Sequence, residues 1–322
     1  MDKRISARVE KAIAEKVFPG CVIGVIHGGV REVQAFGSFT YESDSPSVSE
    51  NIIYDVASIT KSIPTASLAL MLIAEGKLSL GDEVRKYISE LQNHYEATIE
   101  DLLRYRVHGV QLSKLHYKTF EEIRTHALEQ GFDGPPSEAV YTNLPAFILG
   151  LVLERVGNAS LAALSNAYFF KPLGMSNTTF FPSPSDCAPT EIDDRGVVQG
   201  LPHDESAYVF AKAGHAVGHA GLFSTVPDIL RFLEALLAGK YSHVVEGAEK
   251  GLGWQLNDTN FMGQHAGPKT FGKTGFTGTS VLCDIPRATA LVILSNRTYP
   301  KRPPNGDAIN VFRRDIADIL FS

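Results

Sequence analysis

Apolar residues recur at Ile5, Val9, Ala12 and Ile13, a spacing that predicts an amphipathic helix over Ile5 to Val17. Pro19-Gly20 ends it. Cys21 to Ile26 then reads as a strand, His27-Gly28-Gly29 as a turn and Val30 to Phe36 as a second strand. The far end repeats this plan. Gly278 to Asp284 and Ala288 to Ser295 flank a Pro286-Arg287 turn, and a last helix runs from Ala308 to Phe321 with Ile309, Phe312, Ile316 and Ile319 on one face. Neither hairpin can bury its apolar face alone. The economical solution joins both ends into one sheet covered by helices. The expected class is therefore α/β of the α+β kind: an antiparallel sheet with flanking helices from residues 1–57 and 265–322, and an inserted, mostly helical region from 58–264. Helical candidates there are Ile63 to Gly76, Phe120 to Gln130, Leu144 to Val156, Leu161 to Phe170 and Val226 to Leu237. Phe181 to Glu205, rich in Pro, Ser and Asp, reads as a long ordered loop.

Composition narrows the function classes. The chain has 322 residues, 44% hydrophobic and 20% charged, with a net charge of −6, so nothing suggests a nucleic-acid partner. No apolar run approaches the ~18 residues of a membrane span. The N-terminus has neither an apolar h-region nor a small-residue cleavage site, and the expectation is a cytoplasmic protein. Cys21, Cys187 and Cys283 are odd in number and widely spaced, which predicts unpaired thiols.

Three short strings carry the chemistry. Ser58-Ile59-Thr60-Lys61 holds the one Ser with a Lys three residues on, Tyr141-Thr142-Asn143 is the one Tyr-x-Asn, and Lys273-Thr274-Gly275 is the one Lys-Thr-Gly. Ser58 opens a helical segment, whose free N–H groups favour a developing oxyanion, and Lys61 lies one turn on. Pro64 requires a kink or an irregular first turn just beyond. Asn143 precedes Leu144-Pro145 and is a natural N-cap. A free tyrosine is too weakly acidic to serve as a base at neutral pH, so Tyr141 needs Lys61 and Lys273 nearby to favour its phenolate. Lys273, Thr274 and Gly275 offer an ammonium, a hydroxyl and a close backbone approach to substrate. The N–H of Phe276 could join that of Ser58 as an oxyanion hole. Together the strings equip a pocket for acyl transfer through a serine ester. No cofactor is needed for it.

With these strings in place the chain resembles the class C β-lactamase and penicillin-binding-protein-like serine hydrolases, a family of β-lactamases, D,D-peptidases, D-aminopeptidases and carboxylesterases. The resemblance extends to Glu75-Gly76-Lys77-Leu78-Ser79-Leu80, Pro172-Leu173-Gly174-Met175, His203-Asp204-Glu205, His219-Ala220-Gly221-Leu222-Phe223-Ser224 and Leu294-Ser295-Asn296-Arg297. It implies that Ser58 is acylated, that Lys61 and Tyr141 share the proton work, and that Asn143 and Lys273 contact substrate, in a groove between sheet and helical region. Two departures stand out. The family's His-Thr-Ser-Gly string is replaced by Arg104-Tyr105-Arg106-Val107-His108-Gly109. Many esterase-like relatives have His or Trp where this chain has Lys273, which suits a substrate carboxylate. The substrates implied are small esters, amides or β-lactams, with carboxylesterase first and D-Ala-D-Ala carboxypeptidase, D-aminopeptidase or β-lactamase second.

Rival readings have specific weaknesses. Gly267 to Thr274 fits a P-loop, but turn and strand material follows where a helix is required. His215 and His219 are four apart, as in a helical zinc pair, in a string too Gly-rich for a helix. Asp193-Asp194 with Asp204-Glu205 could suggest paired glycosidase carboxylates; solvated loop charge is the simpler expectation. A binding protein that has lost catalysis would not need Ser58, Lys61 and Tyr141 together.

Overall fold

The computed structural model describes all 322 residues. The N-terminal helix spans Lys3–Ala14, with Asp2 as its N-cap. The chain then forms β1 (Gly20–His27) and β2 (Val30–Gly37), and towards its end β3 (Gln255–Leu256), β4 (Phe271–Thr274), β5 (Ser280–Asp284) and β6 (Thr289–Ser295). They make one antiparallel sheet in the order β2-β1-β6-β5-β4-β3. The two remote hairpins thus join through β1 and β6, where Cys21 faces Ser295 and Ile26 faces Ala290.

Alternation along β1 buries both faces. Cys21, Ile23 and Val25 share a core with Ile5 and Val9 of the first helix and Phe312 and Ile316 of the last, Asp307–Phe321. Val22 and Ile26 belong to the larger core, with Val226, Ile229 and Leu230 of the helix Val226–Leu237. Gly24 lies between them, and a Cβ there would meet Val226 Cγ1 at 2.3 Å and Leu230 Cδ1 at 2.6 Å. Glycine is what lets this helix lie flat on the strand.

The division between sheet and helical parts differs from the expected one. β3 and the short helix Thr259–Met262, which packs on the last helix, both precede residue 265. The helix that covers the sheet's inner face, Val226–Leu237, comes from the inserted region. The stretch expected as loop between Phe181 and Glu205 holds a small hairpin, Glu191–Asp193 with Gly196–Val198, and the helix Glu205–Lys212 follows it. Strands of three residues are too short to show a period, so the sequence does not reveal them. All three cysteines are free and buried.

The segment after Ser58 is helical but uneven: a tight 3₁₀ turn Ala57–Lys61, a wide turn Ser62–Ala66, then the α-helix Ser67–Ala74. Pro64 is the cause. It supplies no N–H and drives the preceding residue towards extended backbone, and Ile63 sits at φ −118° and ψ 107°. Counted through its polar residues, Ala57–Ala74 is long and apolar enough to cross a membrane, contrary to the sequence expectation, but 78% of it is buried within the protein. It is a core helix.

Replacing Gly24 by Val forces two branched side chains out of contact. A loss of about 1–3 kcal/mol is expected, read as a lower denaturant midpoint with an unchanged slope. An unchanged midpoint would contradict the packing described.

Candidate active site

The three strings converge. Lys61 Nζ lies 2.9 Å from Ser58 Oγ and donates to His219 O at 2.6 Å. The Tyr141 phenol lies near enough to the same Ser58 hydroxyl for that group to pull its pKa down, and both residues line one cavity. Tyr141 is 54% exposed as a residue, yet its phenolic end is the part sunk among protein atoms. Lys273 Nζ sits 4.4 Å from the Tyr141 ring centre and Lys61 Nζ 5.4 Å from it. Asn143 occupies the N-cap position of the helix Leu144–Gly157 but does not cap it. Its amide donates instead to Asp204 Oδ2 at 3.0 Å.

Electrostatics correct one expectation. Two lysines were to draw the Tyr141 pKa down. Burial instead pushes the phenol up to about 12, against the opposing influence of the nearby Ser58 hydroxyl, and Asp204 adds to the rise. Both lysines move the other way. Burial lowers Lys61 to about 7, with Asp204 opposing, and takes Lys273 well below its usual value, with repulsion from Lys61 adding to the fall. Two ammonium groups out of water beside one another are costly, so neutral amine is the cheaper state. The group beside Ser58 that can accept a proton near neutral pH is therefore Lys61.

The turn carrying Ser58 is held from several sides. Asp55, buried, accepts from Ala57 N at 2.8 Å and from His203 N at 2.7 Å. This carboxylate fixes Ala57 at φ +49°, a left-handed conformation that alanine seldom adopts, and so aims Ser58 into the pocket. Burial raises Asp55 to about 6, with those two N–H groups resisting the rise. From the β4–β5 connection, Thr277 Oγ1 donates to Asp55 O at 2.7 Å and Thr279 Oγ1 to Val56 O at 3.1 Å. Gly275 is where this connection touches the turn: a Cβ there would lie 2.4 Å from Val56 O and 2.1 Å from Thr279 Oγ1. Buried Arg313 clamps the other side by donating to Gly275 O at 2.8 Å and Thr279 O at 2.6 Å.

The result brings Phe276 beside Ser58 in one cavity of about 230 Å³. The N–H groups of Ser58 and Phe276 donate to no protein acceptor, as an oxyanion hole requires. Phe276 itself is packed between His203, ring centres 5.4 Å apart, and the Arg297 guanidinium at 4.9 Å. Asn143, Asp204, Glu205 and Arg302 also line the cavity. Lys273 and Thr274 do not. Lys273 is 1% exposed and lies against the rings of Tyr141 and Tyr105, the latter at 5.0 Å and supplied by the altered 104–109 loop.

Asp204 was expected as solvated loop charge, and that reading is wrong. It caps the helix Glu205–Lys212 and accepts from Ala207 N, Ser206 Oγ and Asn143, with His219 Nε2 at 3.3 Å. Burial opposes its charge, but His219 and these bonds outweigh burial and hold the carboxyl far below its usual range. The other acids are likewise occupied, Asp193 by Arg195 at 2.6 Å and Glu205 by Arg302 at 2.8 Å, whereas Asp194 is exposed. His215 and His219 do not meet: His215 stacks on Phe120 and His219 belongs to the Asp204 network. The P-loop-like string runs into β4 with no helix after it. Asp55 and Asp204 were missed as site residues. The N-cap pattern before Glu205 was available as a signal for Asp204; nothing local marks Asp55.

The beta-lactamase family model matches residues 4–315. The chain belongs to the beta-lactamase family. A putative D-alanyl-D-alanine carboxypeptidase of Escherichia coli O157:H7 is 31% identical, over 79% of this chain and 72% of that protein. One of the same description from Salmonella agona (strain SL483) is 30% identical, over 79% and 73%. Among solved structures, EstCE1, a hydrolase with promiscuous acyltransferase activity, superposes with TM-score 0.79 at 21% identity over 99% of this chain and 98% of its own. A class C beta lactamase from Rhodobacter sphaeroides gives 0.75 at 18% over 100% of both chains. These two likenesses establish the fold, an antiparallel sheet with mixed helices, and the family establishes a serine hydrolase.

Asp55→Ala leaves two buried N–H groups without an acceptor, and a loss of about 2–5 kcal/mol in unfolding free energy is expected. Asp55→Asn retains one acceptor oxygen and should recover part of it. Equal stability of all three proteins would remove Asp55 from its clamping role.

Proposed function

We propose that this hydrolase cleaves small carboxylic esters through a Ser58 acyl-enzyme with Lys61 as the general base. The observation that carries the reading is Lys61 Nζ at 2.9 Å from Ser58 Oγ, in surroundings that bring the amine to about pKa 7. Ser58 Oγ attacks the carbonyl carbon and its proton passes to the Lys61 amine. The carbonyl oxygen becomes an oxyanion between the Ser58 and Phe276 N–H groups. The Tyr141 phenol, protonated at neutral pH and close to the same Oγ, gives its proton to the departing alkoxide and is reprotonated by the Lys61 ammonium. Water then attacks the acyl carbon, Lys61 takes its proton and returns it to Ser58 Oγ as the acyl–oxygen bond breaks, and the acid leaves.

Ester rather than D-Ala-D-Ala cleavage is supported by the surroundings of Lys273. The lysine that would hold a terminal carboxylate lies behind the Tyr141 ring, and Arg302, the cation that does line the cavity, is already bonded to Glu191 and Glu205. The carboxypeptidase reading retains support from the Lys-Thr-Gly string and from the description of the relatives. Side-by-side assays with p-nitrophenyl butyrate, nitrocefin and a D-Ala-D-Ala peptide decide between them; turnover of the peptide well ahead of the ester would overturn our choice.

Two further outcomes test the mechanism. Ser58→Ala is expected to lose at least about 10³-fold in kcat/KM while unfolding like the wild type. Because the working form is the neutral Lys61 amine, kcat/KM is expected to rise with pH through about 7 and to be lost below it. Asp204 holds the Lys61 pKa up, so Asp204→Asn should move the rising limb to lower pH. A profile flat from pH 5 to 9, or a limb unmoved by Asp204→Asn, argues against Lys61 as the base.

A further inference from the structure

Next to the Ser58 cavity lies another of about 670 Å³. Glu205 and Arg302 line both, so the two are adjoining parts of one groove. Acidic and basic side chains make up most of the lining of the outer part, beside His116, Tyr208 and Val209, and most of that charge is already matched. Asp193 pairs with Arg195 at 2.6 Å, and Arg302 with Glu191 at 2.6 Å and Glu205 at 2.8 Å. Arg302 gives Nε and both terminal nitrogens to these carboxylates, so it forms a fixed sill between the two parts.

Three lining groups remain. Lys212 and Lys301 are exposed ammonium groups, Asp194 is an exposed carboxylate, and none has an ion-pair partner. Lys212 is steered over the ring of Tyr208, 5.5 Å from its centre, and Arg195 lies 5.0 Å from the same ring. A ligand arm with a single charge would satisfy one sign and face the other unpaired. A neutral arm would satisfy neither. An arm that carries both a carboxylate and an ammonium offers each sign a partner and leaves the existing pairs intact.

We propose that this outer cavity is a second substrate subsite, which takes an arm ending in a free amino acid, its carboxylate towards Lys212 and Lys301 and its ammonium towards Asp194. The preferred substrates are then esters or amides with a dipolar amino-acid end, not simple neutral esters. The proposal rests on the serine-hydrolase reading for the site it extends, and its test is binding, which needs no turnover.

The probe is Ser58→Ala protein titrated calorimetrically with two matched sets of esters. One places the charges beyond the leaving oxygen: O-acetyltyrosine, O-acetyltyramine, 3-(4-acetoxyphenyl)propionate and 4-ethylphenyl acetate. The other places them on the acyl arm: the ω-phenyl ester of 2-aminoadipate, phenyl 6-aminohexanoate, monophenyl adipate and phenyl hexanoate. In one set the dipolar ester is expected to bind about tenfold more tightly than the neutral one, as two partly exposed charge pairs would provide. Adding Lys212→Ala and Lys301→Ala should remove most of that preference and leave the neutral ester's affinity unchanged. Asp194→Asn should weaken the ammonium-bearing esters alone. Equal binding across both sets, or a preference that survives loss of both lysines, overturns the subsite. Hydrolysis of the neutral esters by the wild type is a separate result that bears on the ester-cleaving reading alone.

Discussion

Burial of the Lys61 amine against Ser58 is the constraint on which the site depends. An ammonium in water would hold its proton near pH 10 and could take nothing from serine. Moved out of water into the protein, the same group is brought to about 7 by burial, where a neutral amine is available near neutral pH. The surroundings limit how far this goes. Asp204, four hydrogen-bonding contacts deep in its own network, returns enough negative charge to keep Lys61 from being discharged altogether. The pocket balances desolvation against one fixed carboxylate.

The fold supplies that balance by bringing sequence-distant strings onto one turn. The tight turn at Ala57–Lys61 would not keep Ala57 left-handed by itself. Asp55 holds it from below, Thr277 and Thr279 from the sheet connection, and Arg313 of the last helix fixes that connection in turn. The terminal helices therefore do more than cover the sheet. Through Arg313 the last of them is linked to the connection that carries Phe276. Positioning of this kind fits the general finding that strained backbone near a site is kept only where the surroundings over-determine it.

Much of the architecture was legible from pattern. Phe120–Gln130 and Val226–Leu237 fall where their periodicity put them, and both terminal hairpins meet in one sheet because neither face could be buried otherwise. The limits of β3, the Glu191–Asp193 hairpin and the helix Glu205–Lys212 were not legible, since elements of two to eight residues carry too few apolar positions to show a period. Ser58, Lys61, Tyr141, Asn143 and Phe276 meet as the strings suggested. Asp204 carried an N-cap signal, but its burial and its bonds to Asn143 and His219 depend on residues remote in the chain, and Asp55 carried no local signal at all.

The sequence by itself determined which groups were available: a serine, two lysines, a phenol and an amide, in strings that each occur once, and a hydrophobic pattern that requires the two ends of the chain to close on each other. These are consequences of residue type and local spacing. Only the tertiary structure decided the protonation states, because a pKa depends on depth from water and on charges brought near from far along the chain. It reversed the expected direction for Tyr141, lowered Lys61 to about 7, turned Lys273 towards two aromatic rings and placed a charged cavity beside the one that holds Ser58.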